Sequence, residues 1–395
     1  MPVQFAKQQY YEKRITKSYI IPQDPLFTEQ WNLLNTGQVG SEYDGHNLNI
    51  EPAWLQGITG CNVTVSIVDD GLDYRHLDIW PNFAPSATYD YADDDFDPLF
   101  YRVSHGTSCG GVVGGAHNNL FCGTGIAYES NIGGLRLLPL SGEAMDMQEA
   151  NALSHAMDIV DIYSSSWGRS DKGTVVEGPR TMGQIALKME QADYFPQGRN
   201  GKGSIYVWAN GNGGFLDTCA TDGFASSIYT ISVGAISATG LPSFFDVECP
   251  AKLVTAYVTD QEDDVDIRTT VTGGKCRAAF GGTSAATPMV SGSIALALEA
   301  KYSFVVKHGL LPQLSTSPSL TWRDVQYLIA YTANPQLTNG TDTDINGAGL
   351  AVSHQYGFGV MDAEAMVTRA RHWIHVPPQM QDNVNTVSQS VANPD

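Results

Sequence analysis

The 395-residue sequence predicts an α/β fold, in which helices flank a mostly parallel central sheet. Short β-branched runs alternate with longer helical patterns, and no linker interrupts them before about Trp373. The predicted strands are residues 63–68, 131–138, 159–164, 204–209, 229–233 and 253–258. The predicted helices are residues 143–158, 179–195, 284–302, 321–332 and 362–373, with a further helix from His105 to about Ala116. One large domain therefore fits better than the two or three that length alone would allow.

Ser284 lies in the segment FGGTSAATPM, residues 280–289, which predicts a glycine turn leading into an apolar helix. Pro288 is compatible with the first turn of that helix, because the first N–H groups of a helix lack intrahelical partners. Free N–H groups and the positive end of the helix favour an anion that forms beside the hydroxyl. Ser284 is therefore a candidate nucleophile next to part of an oxyanion hole.

A serine nucleophile needs a base, and the base needs an acid that orients it. Asp69 and Asp70 end the strand pattern VTVSIVDDG, and His105 opens a helix of small residues. The order Asp69, His105, Ser284 is one of the chain orders in which such triads occur. Taken singly, these residues could be a capped turn, a core histidine and a helix N-cap. Taken together, they favour a catalytic triad.

These three motifs, DDG, HGT and GTSAATP, resemble those of subtilisin-like serine proteases. Other segments are similar to the kexin/furin branch, the proprotein convertases: DPLFTEQW at 24–31, SSWG at 165–168, GSIYVWANGNGG at 203–214 and DGFASSIY at 222–229. The resemblance covers roughly residues 24–376 and implies a subtilisin-like three-layer fold. It also implies that Asn212 donates its side-chain amide to the oxyanion. Without the resemblance, Asn212 could be an ordinary turn asparagine.

The formal net charge is −20, which by itself indicates solubility and gives no support for nucleic-acid binding. The resemblance assigns several acids to the recognition of a basic substrate. Asp171 and Asp222 would line S1, the pocket for an arginine or lysine before the cleaved bond. A cation that enters a closed pocket loses its water, and carboxylates in that pocket pair with it. Glu149, Glu177 and Phe224 would form S4, and Asp70 would contact the S2 residue.

Two departures from the branch leave the S2 preference open. Arg102 stands where furin has a second S2 acid, and Ser170 also replaces an acid. Glu143 and Asp146 match more distant acids. A solvated helix face is the alternative for both.

The resemblance further implies Ca²⁺, a hard cation that prefers oxygen ligands. A first site would use Asp24, Asp78, Asn119 and the carbonyls of Ala116, Phe121 and Gly123. A second would use Asp90, Asp95 and Asp97, in a loop that otherwise indicates only a solvated acidic surface. A third, behind S1, would use Asp171 and Asp217. Its expected glutamate falls on Val247, so this site is either missing or completed by the flanking Asp246 or Glu248.

The resemblance pairs Cys122 with Cys276 and Cys219 with Cys249. Cys109 then matches a buried free cysteine, and Cys61 has no counterpart. With the glycosylation sequons at Asn62 and Asn339, this predicts a secretory-pathway or secreted protein.

The two ends of the chain have their own predictions. Residues 1–10 lack the apolar centre of a signal peptide. We expect residues 1–14 to be the end of an inhibitory propeptide cut after Lys13-Arg14, although a solvated basic pair is the alternative. The catalytic domain would cover 15–376, and the polar residues 377–395 would lead to a P domain. No apolar run approaches the roughly 20 residues of a membrane span.

The sequence therefore predicts a monomeric, calcium-dependent serine endopeptidase that cleaves basic sites in protein precursors. Two alternatives remain open. One is a non-catalytic protein that binds basic peptides on a protease fold. The other is a general subtilisin-like protease without a basic preference.

Overall fold

The computed structural model describes residues 21–191, 198–258, 266–307, 320–337 and 343–377. Its centre is a seven-stranded sheet whose strands all run parallel. The strands are β1 (Thr64–Asp69), β2 (Tyr89–Asp90), β3 (Asn131–Arg136), β4 (Ile162–Ser165), β5 (Ile205–Ala209), β6 (Thr230–Ile236) and β7 (Lys252–Tyr257). Their order across the sheet is β2-β3-β1-β4-β5-β6-β7. The predicted α/β fold is confirmed, with all six predicted strands in the sheet.

Helices cover both faces of the sheet. They are α1 (Glu51–Leu55), α2 (His105–Gly114), α3 (Asp146–Leu153), α4 (Thr181–Gln191), α5 (Thr283–Lys307), α6 (Trp322–Thr332) and α7 (Ala363–Arg371). Alternate strand residues enter two cores, as at β5, where Val207 packs with the α5 side and Trp208 with the α3–α4 side. Parallel strands buried on both faces explain the β-branched and aromatic runs of the sequence. The predicted three-layer architecture is therefore also confirmed.

An antiparallel hairpin lies outside the central sheet, and sequence reasoning missed it. Its strands are β8 (Ile267–Val271) and β9 (Lys275–Phe280). Gly273 and Gly274 have φ values of 86° and 67°, a left-handed backbone that glycine adopts without strain. The hairpin packs on α2 and leads directly into the turn before Ser284. A second small hairpin, β10 (Asp344–Ile345) with β11 (Ala351–Val352), was also not predicted.

Both predicted disulfides are confirmed. Cys122 is bonded to Cys276, 154 residues away, and Cys219 to Cys249, 30 residues away. Cys109 is buried and lies in neither bond.

The described residues contain no helix that is long and apolar enough to span a membrane. The predicted propeptide end at 1–14, the sequon Asn339 and residues 378–395 lie outside the described residues.

Candidate active site

The C-terminal end of β1 and the start of α2 bring Asp69 and His105 together. Asp69 is buried, and both of its carboxylate oxygens lie 2.9 Å from Nδ1 of His105. The glycine after His105 makes this approach possible. A Cβ at Gly106 would lie 2.2 Å from the carbonyl oxygen of Gly71 and 2.9 Å from the Asp69 Cβ. Any larger residue would therefore push the helix away from the strand end.

Two opposing effects set the pKa of His105. Burial lowers it, but the charge of Asp69 and its hydrogen bond outweigh burial and raise the pKa to about 9. The charge of Arg277 acts to lower the pKa of His105. The Arg277 guanidinium lies 5.6 Å from the ring centre of Phe280. Phe280 also packs edge-on against the His105 ring at 5.6 Å. The sequence motifs gave no signal for Arg277.

Asp70 caps the helix that carries His105. Its carboxylate accepts the N–H of His105 at 3.2 Å and that of Gly106 at 2.8 Å. Burial, followed by the charge of Asp69, raises the pKa of Asp70 to about 6. Asp70 was predicted to contact a substrate residue at S2. Its carboxylate also holds the start of α2, a role that the sequence did not reveal, and the S2 contact stays a prediction.

Ser284 lies in the first turn of α5, beside the Asp69–His105 pair. Its hydroxyl donates to the carbonyl oxygen of Ser166 at 3.4 Å. The Cys109 thiol joins the two halves of the site, because Sγ lies 3.6 Å from the Ser284 carbonyl oxygen and 3.9 Å from Oδ2 of Asp69. Burial raises the pKa of the Cys109 thiol, so the thiol stays protonated and is not a competing nucleophile.

The Asn212 side chain is fixed next to Ser284. Its Oδ1 accepts the Thr283 N–H at 2.8 Å and the Thr283 hydroxyl at 3.1 Å. Gly282, with φ 76°, allows this contact, since a Cβ there would be 3.0 Å from Oδ1. With Oδ1 occupied, Nδ2 is the group left to donate. The neighbouring Asn210 is buried, and its Nδ2 donates to the Val247 carbonyl, so it has a structural role.

The predicted S1 acids are held by backbone N–H groups. Asp222 is only 6% exposed, and its Oδ1 accepts from Phe224 at 2.9 Å and Ala225 at 3.0 Å. Asp171 accepts the backbone N–H of Asn212, which links it to the Ser284 turn. Burial raises the pKa of both carboxyls, and these N–H groups act against that rise.

The predicted S4 residues line one cleft of about 820 Å³. Glu149, Glu177 and Phe224 share it with Arg180 and Glu143. Burial, and then the charge of Asp146, raise the pKa of Glu149 to about 7, while Arg180 acts to lower it.

Two further contacts define this cleft. Asp146 accepts the N–H groups of Met182 and Gly183 and so caps α4. Phe224 is buried and stacks on Trp208 at 4.4 Å, so its ring forms a fixed wall.

Residues 60–359 match the profile of the Subtilase family. This chain is a member of that family. The subtilase is 40% identical over 396 residues to furin-1 of Xenopus laevis, covering 98% of the chain and 47% of the relative. It is 40% identical over 381 residues to neuroendocrine convertase 2 of Drosophila melanogaster, covering 94% of the chain and 55% of the relative. The resemblance to the kexin/furin branch is confirmed, and the chain spans about half the length of these relatives.

Solved structures share the fold of the subtilase. The serine protease of Aeromonas sobria superposes with a TM-score of 0.75 at 22% identity, covering 94% of this chain and 72% of that one. A protease of Pseudoalteromonas arctica gives 0.68 at 21% identity, covering 89% of this chain and all of that one. Both show the same arrangement of sheet and helices.

The first predicted calcium site fits a cation. Asp24 and Asp78 are almost fully buried, and burial raises the pKa of Asp78 to about 7. Asn119 donates to Asp78 at 2.7 Å, and three successive N–H groups, of residues 118–120, donate to Asp24. The loop also has left-handed backbone at Asn118, Leu120 and Cys122. Buried carboxylates that face neutral partners are the environment that a cation completes.

The second and third predicted sites differ from the first. At the second, Asp90 is buried but already pairs with Arg136 at 2.6 Å, and Asp95 and Asp97 are exposed. Calcium binding at this second site therefore stays a prediction. At the third, the carboxylate of Asp217 forms a buried ion pair with Arg169. Because the Arg169 cation already neutralises Asp217, this set of donors does not fit calcium.

Proposed function

We propose that this subtilase is a serine endopeptidase that cleaves protein precursors after paired or multiple basic residues. The carrying observation is the Asp69–His105 pair at 2.9 Å, next to Ser284 and Asn212 and flanked by two acidic subsites. Asp171 and Asp222 would pair with the basic residue before the cleaved bond. Glu149 and Glu177 would pair with a basic residue further upstream.

The geometry supports an acyl-enzyme mechanism. In its neutral form, His105 takes the proton of the Ser284 hydroxyl, which attacks the peptide carbonyl, and returns that proton to the leaving amine. Asp69 holds the His105 tautomer and stabilises its charged form. The oxyanion is held by Nδ2 of Asn212 and the Ser284 N–H, and losing such a side-chain donor costs about 10²–10³ in turnover. Water then hydrolyses the acyl-enzyme. Catalytic hydrogen bonds, such as the one from the Ser284 hydroxyl to His105, often tighten only when substrate binds.

Calcium dependence is part of the proposal. Asp24, Asp78 and Asn119, with the carbonyls of Ala116, Phe121 and Gly123, would hold the ion at the first site. A bound Ca²⁺ would supply the positive charge that balances these buried carboxylates, and it would fix the loop after α2.

The cellular setting is proposed from the same resemblance. The two disulfides suit an oxidising compartment, so we propose the secretory pathway or secretion. The substrates would be protein precursors with basic sites, and the protein's own propeptide would inhibit it. We propose that the protease acts as a monomer, without a nucleic-acid partner.

The test compares the full-length precursor with its Ser284→Ala variant on Arg-Arg and Lys-Arg peptides, with and without a calcium chelator. We expect cleavage only by the unmodified protein, and its loss on chelation. A peptide library would separate a basic preference from general proteolysis. Equal cleavage by both proteins would contradict the mechanism. Tight binding of basic peptides without cleavage would indicate a binding protein instead.

A further inference from the structure

The guanidinium of Arg169 is buried behind the proposed S1 pocket. Its side chain is 3% exposed, and its ion-pair partner Asp217 is 2% exposed. One guanidinium nitrogen donates to Asp217 and to the Thr218 carbonyl at 2.7 Å, and the other donates to the Ser170 carbonyl at 2.8 Å. The Arg169 cation thus joins segment 169–171 to segment 217–218.

Those two segments lead to the two S1 acids. Asp171 follows Arg169 by two residues, and Asp222 follows Thr218 by four. The segments are in close contact, since a Cβ at Gly213 would lie 2.4 Å from the Asp217 Cβ and 2.8 Å from the Asp171 carbonyl oxygen. A Cβ at Gly211 would lie 3.0 Å from Oδ1 of Asp171 and 3.4 Å from Cγ2 of Val247. Asp171, Asp217 and Val247 therefore lie around the same glycine segment, and Arg169 contacts this group through Asp217.

Neither neighbour of Val247 supplies the missing acid. Asp246 is buried in a pair with Lys252 and accepts the Ala235 N–H at 2.8 Å. Glu248 is 64% exposed and lies 3.8 Å from His354. The apolar Val247 is 1% exposed. The chain thus lacks a metal-binding carboxylate at this position, and the remaining acid, Asp217, pairs with an arginine.

We propose that Arg169 is the cation of this site, so that the S1 walls of this subtilase are positioned by an internal guanidinium and not by a metal ion. The inference rests on the proposed function only for the identity of the substrate. Its structural part rests on the Arg169–Asp217 ion pair. Arg169 acts through Asp217 and through the backbone of residues 218–222, and is therefore a positioning residue. Its charge also acts to lower the pKa of both S1 acids, against the larger effect of burial.

The first experiment counts bound calcium ions by isothermal titration calorimetry, so its result does not depend on enzymatic activity. In the full-length protein, Asp217→Asn should leave the number of bound ions unchanged. The double variant Arg169→Gln/Val247→Glu should bind one more ion than the unmodified protein, and adding Asp217→Asn should remove that ion. A loss of one ion from Asp217→Asn alone, or no gain in the double variant, would overturn the proposal.

The second experiment separates KM from kcat on peptides with arginine at P1, the position before the cleaved bond. Arg169→Gln should raise KM roughly 10- to 100-fold, because displaced S1 walls lose a geometry-dependent pairing. The change in kcat should be smaller, and Arg169→Lys should give an intermediate KM. Arg268→Gln removes a different paired arginine, which lies 2.8 Å from Glu29, and should leave KM unchanged.

A KM for Arg169→Gln that matches Arg268→Gln would also overturn the proposal. If Arg169→Gln does not fold, the Arg169→Lys kinetics and the ion count of Asp217→Asn decide the question. Absence of basic-site cleavage by the unmodified protein would refute the proposed function alone, since the ion count is independent of substrate.

Discussion

The proposed S1 and S4 subsites both contain acids, but the protein holds these acids in different ways. At S1, backbone N–H groups bind Asp171 and Asp222, and the buried Arg169–Asp217 pair lies behind them. At S4, the groups that act on the Glu149 carboxyl are the acids Asp146 and Glu177 and the cation of Arg180.

This difference separates a rigid subsite from a responsive one. Fixed N–H donors hold the S1 carboxylates in position and act to lower their pKa, against the larger effect of burial. An acid with a pKa of about 7, among other acids, gains or loses a proton near neutral pH. We therefore expect substrate binding at S1 to depend on the fixed positions of its acids, and substrate binding at S4 to change with pH.

The largest expected effect is at the base of S1. Asp217→Asn leaves the Arg169 guanidinium buried without its carboxylate, and breaking such a pair costs roughly 3–5 kcal/mol. Urea unfolding should show this loss equally in calcium and in chelator. A loss that appears only in calcium would mean that Asp217 binds a metal.

The second prediction concerns the specificity of S1. Asp222→Asn keeps an oxygen for the Phe224 and Ala225 N–H groups but removes the charge. Truncating one partner of a buried charged pair costs about 2–5 kcal/mol, so kcat/KM for peptides with arginine at P1 should fall by roughly 10²–10³. Labelling of Ser284 by a small fluorophosphonate should not change. Slower labelling would indicate a disturbed triad and not a lost contact.

The sequence predicted the central strands other than β2, the helices other than α1, and the positions of Asp69, His105 and Ser284, because these depend on local patterns and short motifs. The disulfides and subsites came from the resemblance. The roles of Arg169 and Asp70 did not emerge, because each depends on a contact with a residue at least 35 positions away. The β8–β9 hairpin was missed as well, although the Gly273-Gly274 pair after the β-branched run 269–272 was a usable turn signal.

The third prediction tests the pH response of S4. The pKa of Glu149 is raised to about 7, so its carboxyl is charged above that pH and neutral below it. Only the charged form attracts a basic residue at P4, the position that S4 would bind. KM for a peptide with arginine at P4 should therefore rise about tenfold as the pH falls from 8 to 6. The matched peptide with alanine at P4 controls for titration of the triad, and Glu149→Gln should abolish the difference between the two peptides.

The smallest expected effect is that of Arg180, which lines the S4 cleft and acts to lower the pKa of Glu149. Arg180→Gln should raise that pKa and move the pH response of the arginine peptide upward. At pH 8 and above the same change removes a cation that repels the substrate, so KM should fall roughly two- to threefold. Lys188→Gln removes a positive charge from the exposed side of α4, outside this cleft, and should change neither quantity. A Lys188 variant that behaves like the Arg180 variant would show that S4 responds only to total charge. A pH midpoint that stays in place in Arg180→Gln would show that Arg180 does not act on Glu149.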